Sequence, residues 1–440
     1  MTSDTYTEQD KLRYALIGCG RRSRTHLRVV DQLRDRFDIV AVCDADSEAA
    51  QRAAAQLNAN AGGRANAGGR ANAGGRANID GRTKAYTDVR AMVNAEDLDV
   101  CDVVVPAELH HAVSCYLSSH GIHQNVETPL APTLGLMNRM IETAERHNVK
   151  LQTSENFPFL PLEQFVCKLL RADVIGPVHK SYRLFSTTGY HGLAAIRARM
   201  GAKPICVSSI CHTMPVIPYI DRAKRDWTTE TLEFYAIDFE GGGLAIAMVG
   251  NKNSCLGRNR LVGFETLGER GTLITNGNQG ATGGETVNVC TDVDIAERAA
   301  VAQTYAFQRS YTDAETLAKL WVDLPASLGG TIEWVNPYAD KMISETDVSV
   351  ATLLEGLADA ILNDPANQAE VPWPGEFGRA DQAMVLAAAR SCVANRQPVR
   401  LPLSADAGEE EAFDEAFKER FGLHPREDIE AVLGISFKAR

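Results

Sequence analysis

A short apolar run that stops at glycine and gives way at once to a polar, helix-forming stretch most narrows what this chain can fold into. Residues 13–19, RYALIGC, form the run, and Gly18-Cys19-Gly20-Arg21-Arg22-Ser23 is the glycine-bounded turn. Such a run reads as a buried parallel strand feeding a helix. The helix is expected over 24–36, where Leu27, Val30 and Leu33 recur at helical spacing. FDIVAVC (37–43) is the second strand, ending at Asp44, and Ser47 caps the helix EAAQRAAAQLN. The rhythm resumes with helix TDVRAMV, strand LDVCDVVVP, helix HHAVSCYLSSH, strand HQNVE, helix TLGLMNRMIETAERH and strand KLQTSEN. This alternation of strands with helices over about 155 residues predicts a doubly wound α/β sheet.

One tract breaks the rhythm. ANAGGR occurs three times in tandem from Ala59 to Arg76, and Ala77-Asn78 starts a fourth copy. Its Gly-Gly pairs and lack of bulky apolar side chains deny it a core, so 59–78 reads as a low-complexity insertion in a surface loop. Ionic partners for Arg64, Arg70 and Arg76 are the minor alternative.

After Asn156 the pattern changes. Helix LEQFVCKLLRADVIG leads into β-rich segments, HKSYRLFSTT, TLEFYAIDFE, LAIAMVG, RLVGFETLG and TLITN, separated by Gly/Asn-rich turns. Helices VATLLEGLADAIL and RADQAMVLAAARSCVA follow. The expectation is an N-terminal dinucleotide-binding domain at 1–156, an α+β domain with an open, mainly antiparallel sheet at 157–403, and a charged extension at 404–440 placed on the surface.

Composition limits the partners. With 45 Lys+Arg against 57 Asp+Glu in 440 residues, the net charge is −12. An acidic surface repels polyphosphate and anionic lipid, which argues against nucleic acid and membranes. No apolar run approaches the roughly 18 residues of a spanning helix. The polar start MTSDTYTEQDKLR lacks a signal-peptide core, so a frayed tail on a cytoplasmic protein is expected. The ten cysteines are scattered without C-x-x-C, which suggests neither a zinc site nor a disulfide framework. Cys206, Cys211 and His212 match no common metal-ligand spacing, and no metal is expected.

The turn after the first strand carries the clearest chemistry. Gly18-x-Gly20-x-x-Ser23 has serine where the dinucleotide fingerprint prefers a third Gly or Ala. The first glycine permits the tight turn, and the second lets backbone approach a pyrophosphate. The helix N-terminus offers free N–H groups and a positive dipole. Gly18, Gly20, Arg21, Arg22 and Ser23 are therefore cofactor-binding candidates. Asp44, 24 residues after Gly20, can accept hydrogen bonds from the adenosine ribose hydroxyls and repel a 2′-phosphate. Ala45 follows it rather than Arg, so NAD is favoured over NADP.

These and other residues resemble the glucose–fructose oxidoreductase, inositol dehydrogenase and MocA family. Gly18 to His26, G-x-G-x-x-S-x-x-His, resembles its opening motif, and Pro106-Ala-Glu-Leu-His110 its T-P-N-x-x-H loop. HGIHQNVETPLAPT (120–133) resembles its G-K-H-V-x-x-E-K-P-L-A segment, SENFPFLP (154–161) its next strand end, and VGFETLGERGTLIT (262–275) its second-domain turn. The resemblance implies an N-terminal Rossmann domain, NAD, a homo-oligomer, and a catalytic set of the E-K-P lysine with a D-x-x-x-H pair. It adds Pro106, His110 and Glu127 to the cofactor-binding residues, with Glu127 near the nicotinamide ribose. Here Glu127-Thr128-Pro129 replaces the lysine by Thr128, and Ser208 to His212 replaces the aspartate by Ser208. Of the three expected groups only His212 is present.

His212 is the first expected base, since an imidazole titrates near neutral pH. Tyr190 and His191 are expected to supply proton-transfer groups in place of the lysine. Arg197 is expected to clamp a carboxylate or a hydroxyl pair, and Asn156 to face nicotinamide or substrate. The leading function is an NAD-dependent oxidoreductase acting on a secondary hydroxyl of a sugar, cyclitol or related polyol. NAD-dependent glycosidases related to the family also lack lysine in the E-x-P motif, as Glu127-Thr128-Pro129 does here. That keeps open a lyase, epimerase or glycosidase working by transient oxidation. The loss of two catalytic groups keeps open a non-catalytic NAD-binding subunit.

Overall fold

The computed structural model describes residues 11–62, 82–186, 189–220, 226–250, 263–276, 284–294, 299–363 and 369–435. The chain divides into two compact units, 1–155 with 350–379 and 404–440, and 156–349 with 380–403.

The first unit begins with β1 (Leu12–Ile17), α1 (Ser23–Gln32), β2 (Phe37–Cys43), α2 (Ser47–Gly62), β3 (Lys84–Tyr86) and α3 (Val89–Ala95). It continues with β4 (Val100–Val103), α4 (Ala107–Ser119), β5 (His123–Val126), α5 (Leu134–Arg146) and β6 (Leu151–Thr153). The strands form one parallel sheet in the order β3-β2-β1-β4-β5-β6. That order reverses beside β1, where ligands of doubly wound folds sit. Every residue of β1 is buried, which accounts for its unbroken apolar reading. Asp88 caps α3 by accepting from the N–H groups of Arg90 and Ala91, and Thr133 caps α5.

Two details differ from the sequence expectation. Helix α2 runs on through Ala59–Gly62, the first four residues of the hexapeptide tract, and Asn60 donates to Asp31 at 2.9 Å. Ala59 and Ala61 continue the alanine-rich helix begun at Ser47, so the repeat begins as helix. The rest of the tract, from residue 63, lies outside the described residues. The three-residue β3 was not individually foreseen, since Lys84 and Ala85 are exposed and show no apolar alternation.

The second unit contains α6 (Pro161–Arg171), β7 (Val178–Ser186), α7 (Gly189–Met200), β8 (Pro204–Ile220), β9 (Asp226–Phe239) and β10 (Leu244–Gly250). There follow β11 (Gly263–Gly268), β12 (Gly271–Asn276), β13 (Thr286–Asp294), β14 (Ala299–Ala306), β15 (Gln308–Tyr311), β16 (Leu317–Asp323) and β17 (Thr331–Val335). The last three form a small antiparallel sheet. The others, completed by β18 (Val399–Arg400) at one edge, form a sheet in the order β14-β13-β12-β11-β7-β10-β9-β8-β18. Among the described residues, only the β7–β10 pairing in it is parallel. Helix α7 was not singled out from sequence because it is buried almost all round, from Gly192 to Arg197, leaving no polar face to mark a period. Cys211 and Cys392 form a disulfide, with Cα atoms 5.9 Å apart. Their separation of 181 residues hid that pairing from any reading of spacing.

The remaining helices are α8 (Val348–Leu362), α9 (Gly375–Val393), α10 (Ala407–Phe421) and α11 (Ile429–Val432). The expected continuous second domain at 157–403 is therefore corrected. In the first unit Thr153 N donates to Trp373 O at 2.8 Å and Gln152 Nε2 to Leu353 O at 3.0 Å, which ties 350–379 to the parallel sheet. The charged extension is also more than surface. Glu410 accepts from Gly135 N at 2.8 Å and Thr133 Oγ1 at 2.6 Å at the start of α5, and Phe417 is buried. Among the described residues no helix is long and apolar enough to cross a membrane.

Candidate functional site

The turn between β1 and α1 has the geometry its glycines require. Gly18 sits at φ +97°, and a Cβ there would lie 2.4 Å from Val104 O. At Gly20 a Cβ would point into open space, so backbone is presented on that side. Ser23 is buried, and its Oγ donates to Gly20 O at 2.7 Å, so this serine closes the turn where a small residue is usual. Asp44, just past β2, accepts from Cys19 N at 2.6 Å and from Asp46 N at 2.8 Å. The same carboxylate thus fixes the glycine turn and stands at the strand end where a ribose is gripped. Open backbone at Gly20, a close-packed Gly18 and a carboxylate at Asp44 fit a dinucleotide.

Beneath this turn lies a chain of ionisable groups. His26 on α1 is fully buried, with Nδ1 2.7 Å from Asp102 Oδ2 and Nε2 2.9 Å from Glu127 Oε1. Asp102 on β4 also accepts from Tyr14 OH at 2.9 Å and Asn125 Nδ2 at 2.8 Å. Glu127 follows β5 and also accepts from Arg22 Nε, and from Thr128 N at 2.9 Å. Burial works against a charged His26, but the two carboxylates outweigh it and raise its pKa to about 9. Burial likewise opposes Glu127 ionisation, yet His26 and Arg22 hold its pKa well below the usual carboxylate range. The four groups therefore form a charge-balanced set of two carboxylates and two cations.

Thr128 precedes a cis peptide to Pro129, and its hydroxyl lies 3.3 Å from Glu127 Oε2. It stands where the resemblance expects a lysine and carries no base. Pro106 is exposed at the N-terminus of α4. His110 is buried between Val105 O at 2.8 Å and Pro129 O at 3.0 Å, and burial lowers its pKa. It braces two loops. Arg21 and Arg22 are exposed at the turn.

In the second unit the sequence candidates separate. His212 is exposed on β8, paired in register with Leu232 of β9. Beyond that pair β8 and β9 continue as paired strands from Thr213↔Thr231 to Ile220↔Asp226, so His212 stands at the root of that ribbon. Tyr190 and His191 instead form the first turn of α7, both half-buried. The His191 ring stacks on Phe157, with centroids 4.6 Å apart and planes 7° apart, and Tyr190 packs against it at 4.5 Å. Asn156 immediately precedes Phe157 and donates to Ser349 at 3.5 Å.

Arg197, expected to grip substrate, and its neighbour Arg199 are both buried and paired within the protein. Arg197 pairs with Asp381 through two bonds, at 2.9 and 3.2 Å. Arg199 pairs with Glu163 at 2.8 and 2.9 Å and lies over the Phe264 ring. The Arg197 clamp is therefore corrected: its fork is filled by protein. Sequence reasoning also missed Asp102. A charged residue within the apolar strand LDVCDVVVP was the available signal, since a buried acid has a partner.

Residues 12–155 match the model of an oxidoreductase family described as having an NAD-binding Rossmann fold. A D-apiose dehydrogenase of Paraburkholderia graminis is 34% identical over 174 residues, 40% of this chain and 40% of that protein. A glycosyl hydrolase family 109 protein of Shewanella pealeana is 25% identical over 169 residues, 38% of this chain and 34% of that protein. The chain thus matches well under half the length of these relatives. A levoglucosan dehydrogenase solved with NADH and L-sorbose aligns over 90% of this chain and 100% of its own, with TM-score 0.62 and 18% identity. An oxidoreductase from Agrobacterium radiobacter, solved with NAD+, L-tartaric acid and magnesium, aligns over 89% and 98%, with TM-score 0.60 and 18% identity. Identities this low speak for the fold alone.

Proposed function

From a first domain whose residues 12–155 match that NAD-binding oxidoreductase family, we propose that the protein is an NAD-dependent oxidoreductase acting on a secondary hydroxyl of a sugar, cyclitol or related polyol. The observation that carries this reading is the turn at Gly18–Ser23 with Asp44 holding Cys19 N at 2.6 Å, a backbone cradle and a ribose-seeking carboxylate in one place. NAD supplies a hydride acceptor when bound. Gly20 and the N-terminus of α1 would take the pyrophosphate, Asp44 the adenosine ribose, and Glu127 the nicotinamide ribose.

His191 is the base in this reading, with Tyr190 beside it. Its half-buried ring at the head of α7 can reach a substrate hydroxyl while Phe157 sets its plane. Thr128 is too weakly basic to remove the proton. Asn156, in the same turn of chain as Phe157, is placed to bind substrate.

A redox-neutral lyase, epimerase or glycosidase is the second reading. Thr128 in place of lysine favours it, as does the similarity to the glycosyl hydrolase family 109 protein. A homo-oligomer belongs to the first proposal. Ile217 and Ile220 on the β8 ribbon are 76% and 68% exposed, an apolar surface that a second copy would cover. A cytoplasmic setting is part of it too, though the Cys211–Cys392 bond weighs against a reducing compartment.

Turnover of a polyol panel with NAD tests the function. Steady NADH release supports the oxidoreductase, and product without net NADH supports the second reading. A positioned general base contributes about 10²–10⁴-fold. His191→Ala should therefore lower turnover by that range, while His212→Ala leaves it nearly unchanged. The reverse pattern would return the base to His212.

A further inference from the structure

We propose that His26, clamped between Asp102 and Glu127, is the positioning residue for the Glu127-Thr128-Pro129 turn, and through it for the nicotinamide end of bound NAD. The proposal rests on the reading of Glu127 as the nicotinamide-ribose residue. It starts from three elements meeting at one imidazole: α1 carries the ring, β4 carries Asp102, and the end of β5 carries Glu127.

Both ring nitrogens face carboxylate oxygens, at 2.7 and 2.9 Å. Only the doubly protonated ring donates to both. A neutral ring, itself fully buried, would turn a lone pair toward one carboxylate. The remaining capacity of each acid is engaged as well. Asp102 is held by Tyr14 from β1 and by Asn125 from β5, so it is an anchored anion. Glu127 is met by Arg22 from the glycine turn and by Thr128. The charged and titratable groups directly facing His26 are thus Asp102 and Glu127, with Tyr14 and Arg22 one bond further out. The raised pKa of His26, about 9, agrees with a ring that stays charged at neutral pH.

The consequence is positional. Glu127 sits at the C-terminal end of β5, where a free carboxylate could turn toward solvent. His26 fixes Oε1 from below, so Oε2 faces the 128–129 turn. His26 lies seven residues after Cys19, in the first two turns of α1, so the helix that offers its N-terminus to the pyrophosphate also anchors the acid for the other end of the cofactor. The ring touches none of the residues proposed to hold the adenosine.

The test separates the two ends of the cofactor. NAD and ADP binding are measured by calorimetry in the wild type, His26→Gln and Glu127→Gln. The imidazole of His26 is followed by 15N NMR across pH 6–10 in the wild type. The expected result is that His26→Gln weakens NAD by about tenfold to a hundredfold, the scale of one charge-assisted bond, and leaves ADP unchanged. His26 should remain doubly protonated through neutrality and titrate near 9. Equal losses of NAD and ADP would mean a general structural role and overturn the proposal, as would unchanged NAD affinity in His26→Gln. Should His26→Gln fail to fold, the wild-type titration and Glu127→Gln decide. A ring that titrates at or below 6.5, or a Glu127→Gln protein with wild-type NAD affinity, overturns it. Wild type that binds ADP but shows no gain with NAD would refute the ribose reading of Glu127, whatever His26 does. A wild type that binds neither would refute the dinucleotide reading itself.

Discussion

Asp44 links the residue scale to cofactor choice. It fixes the glycine turn through Cys19 N and stands where a ribose would be held, so its removal should act on both. Asp44→Ala should weaken NAD by roughly 1.5–3 kcal/mol, the worth of bonds to a charged acceptor, and narrow the preference over NADP. Calorimetry with each cofactor measures this, and equal NAD affinity in both proteins would refute the assignment. A second expectation comes from the buried pair. The folded pKa of His26 lies above its unfolded value near 6.5, so its contribution is complete below pH 6.5 and is lost as pH rises through about 9. Glu127 is shifted the other way, so its contribution is present above about pH 4.5 and is lost only on strong acidification. The urea midpoint should therefore fall between about pH 6.5 and 9, and His26→Gln should flatten that fall. A wild-type midpoint flat over the same range would count against a charged His26.

At the scale of elements, α7 shows why a helix full of arginine need not face water. Arg197 and Arg199 are two residues apart and both buried, each answered by a carboxylate from elsewhere in the second unit, Asp381 and Glu163. Arg199 is completed by Thr266, Thr275 and the Phe264 ring, which join α7 to β11 and β12. Removing one partner of such a pair strands a buried charge. Glu163→Leu should destabilise the protein by about 3–5 kcal/mol, while a double change of Glu163 and Arg199 to apolar residues should recover much of it. Urea denaturation of the three proteins measures the difference. A single variant within about 1 kcal/mol of wild type would show that solvent reaches the pair. The ribbon of β8 and β9 is the opposite case. Its alternating residues find no second layer among the described elements, which is why His212, plausible by pattern, ends exposed.

At the scale of the whole chain, the C-terminal segment belongs to the first unit's fold. Glu410 takes the place of a cap at the start of α5, Arg426 pairs with Asp414 and Glu410, and His111 on α4 meets Pro425 O at 2.6 Å. Truncation after Leu403 should lower the melting temperature by several degrees, because it removes the buried Phe417 and leaves Thr133 and Gly135 without their acceptor. Glu410→Gln should reproduce part of that loss. An unchanged melting temperature in the truncated protein would show the segment to be a passive tail.

The parallel sheet, its glycine turn and Asp44 were legible in the amino-acid order because each depends on neighbours within one βαβ stretch. A buried strand needs an apolar run, a tight turn needs glycine, and the acid must follow the second strand. The resemblance carried the same logic to the Rossmann fold of residues 12–155. Other features depend on partners far away in sequence. His26 meets Asp102 and Glu127 across 76 and 101 residues, Arg197 meets Asp381 across 184, and Cys211 meets Cys392 across 181. Pattern alone therefore made Arg197 a free clamp. Whether a polar side chain is exposed, paired or enclosed depends on what the folded chain brings against it. A sequence shows which groups need partners, and only packing supplies them.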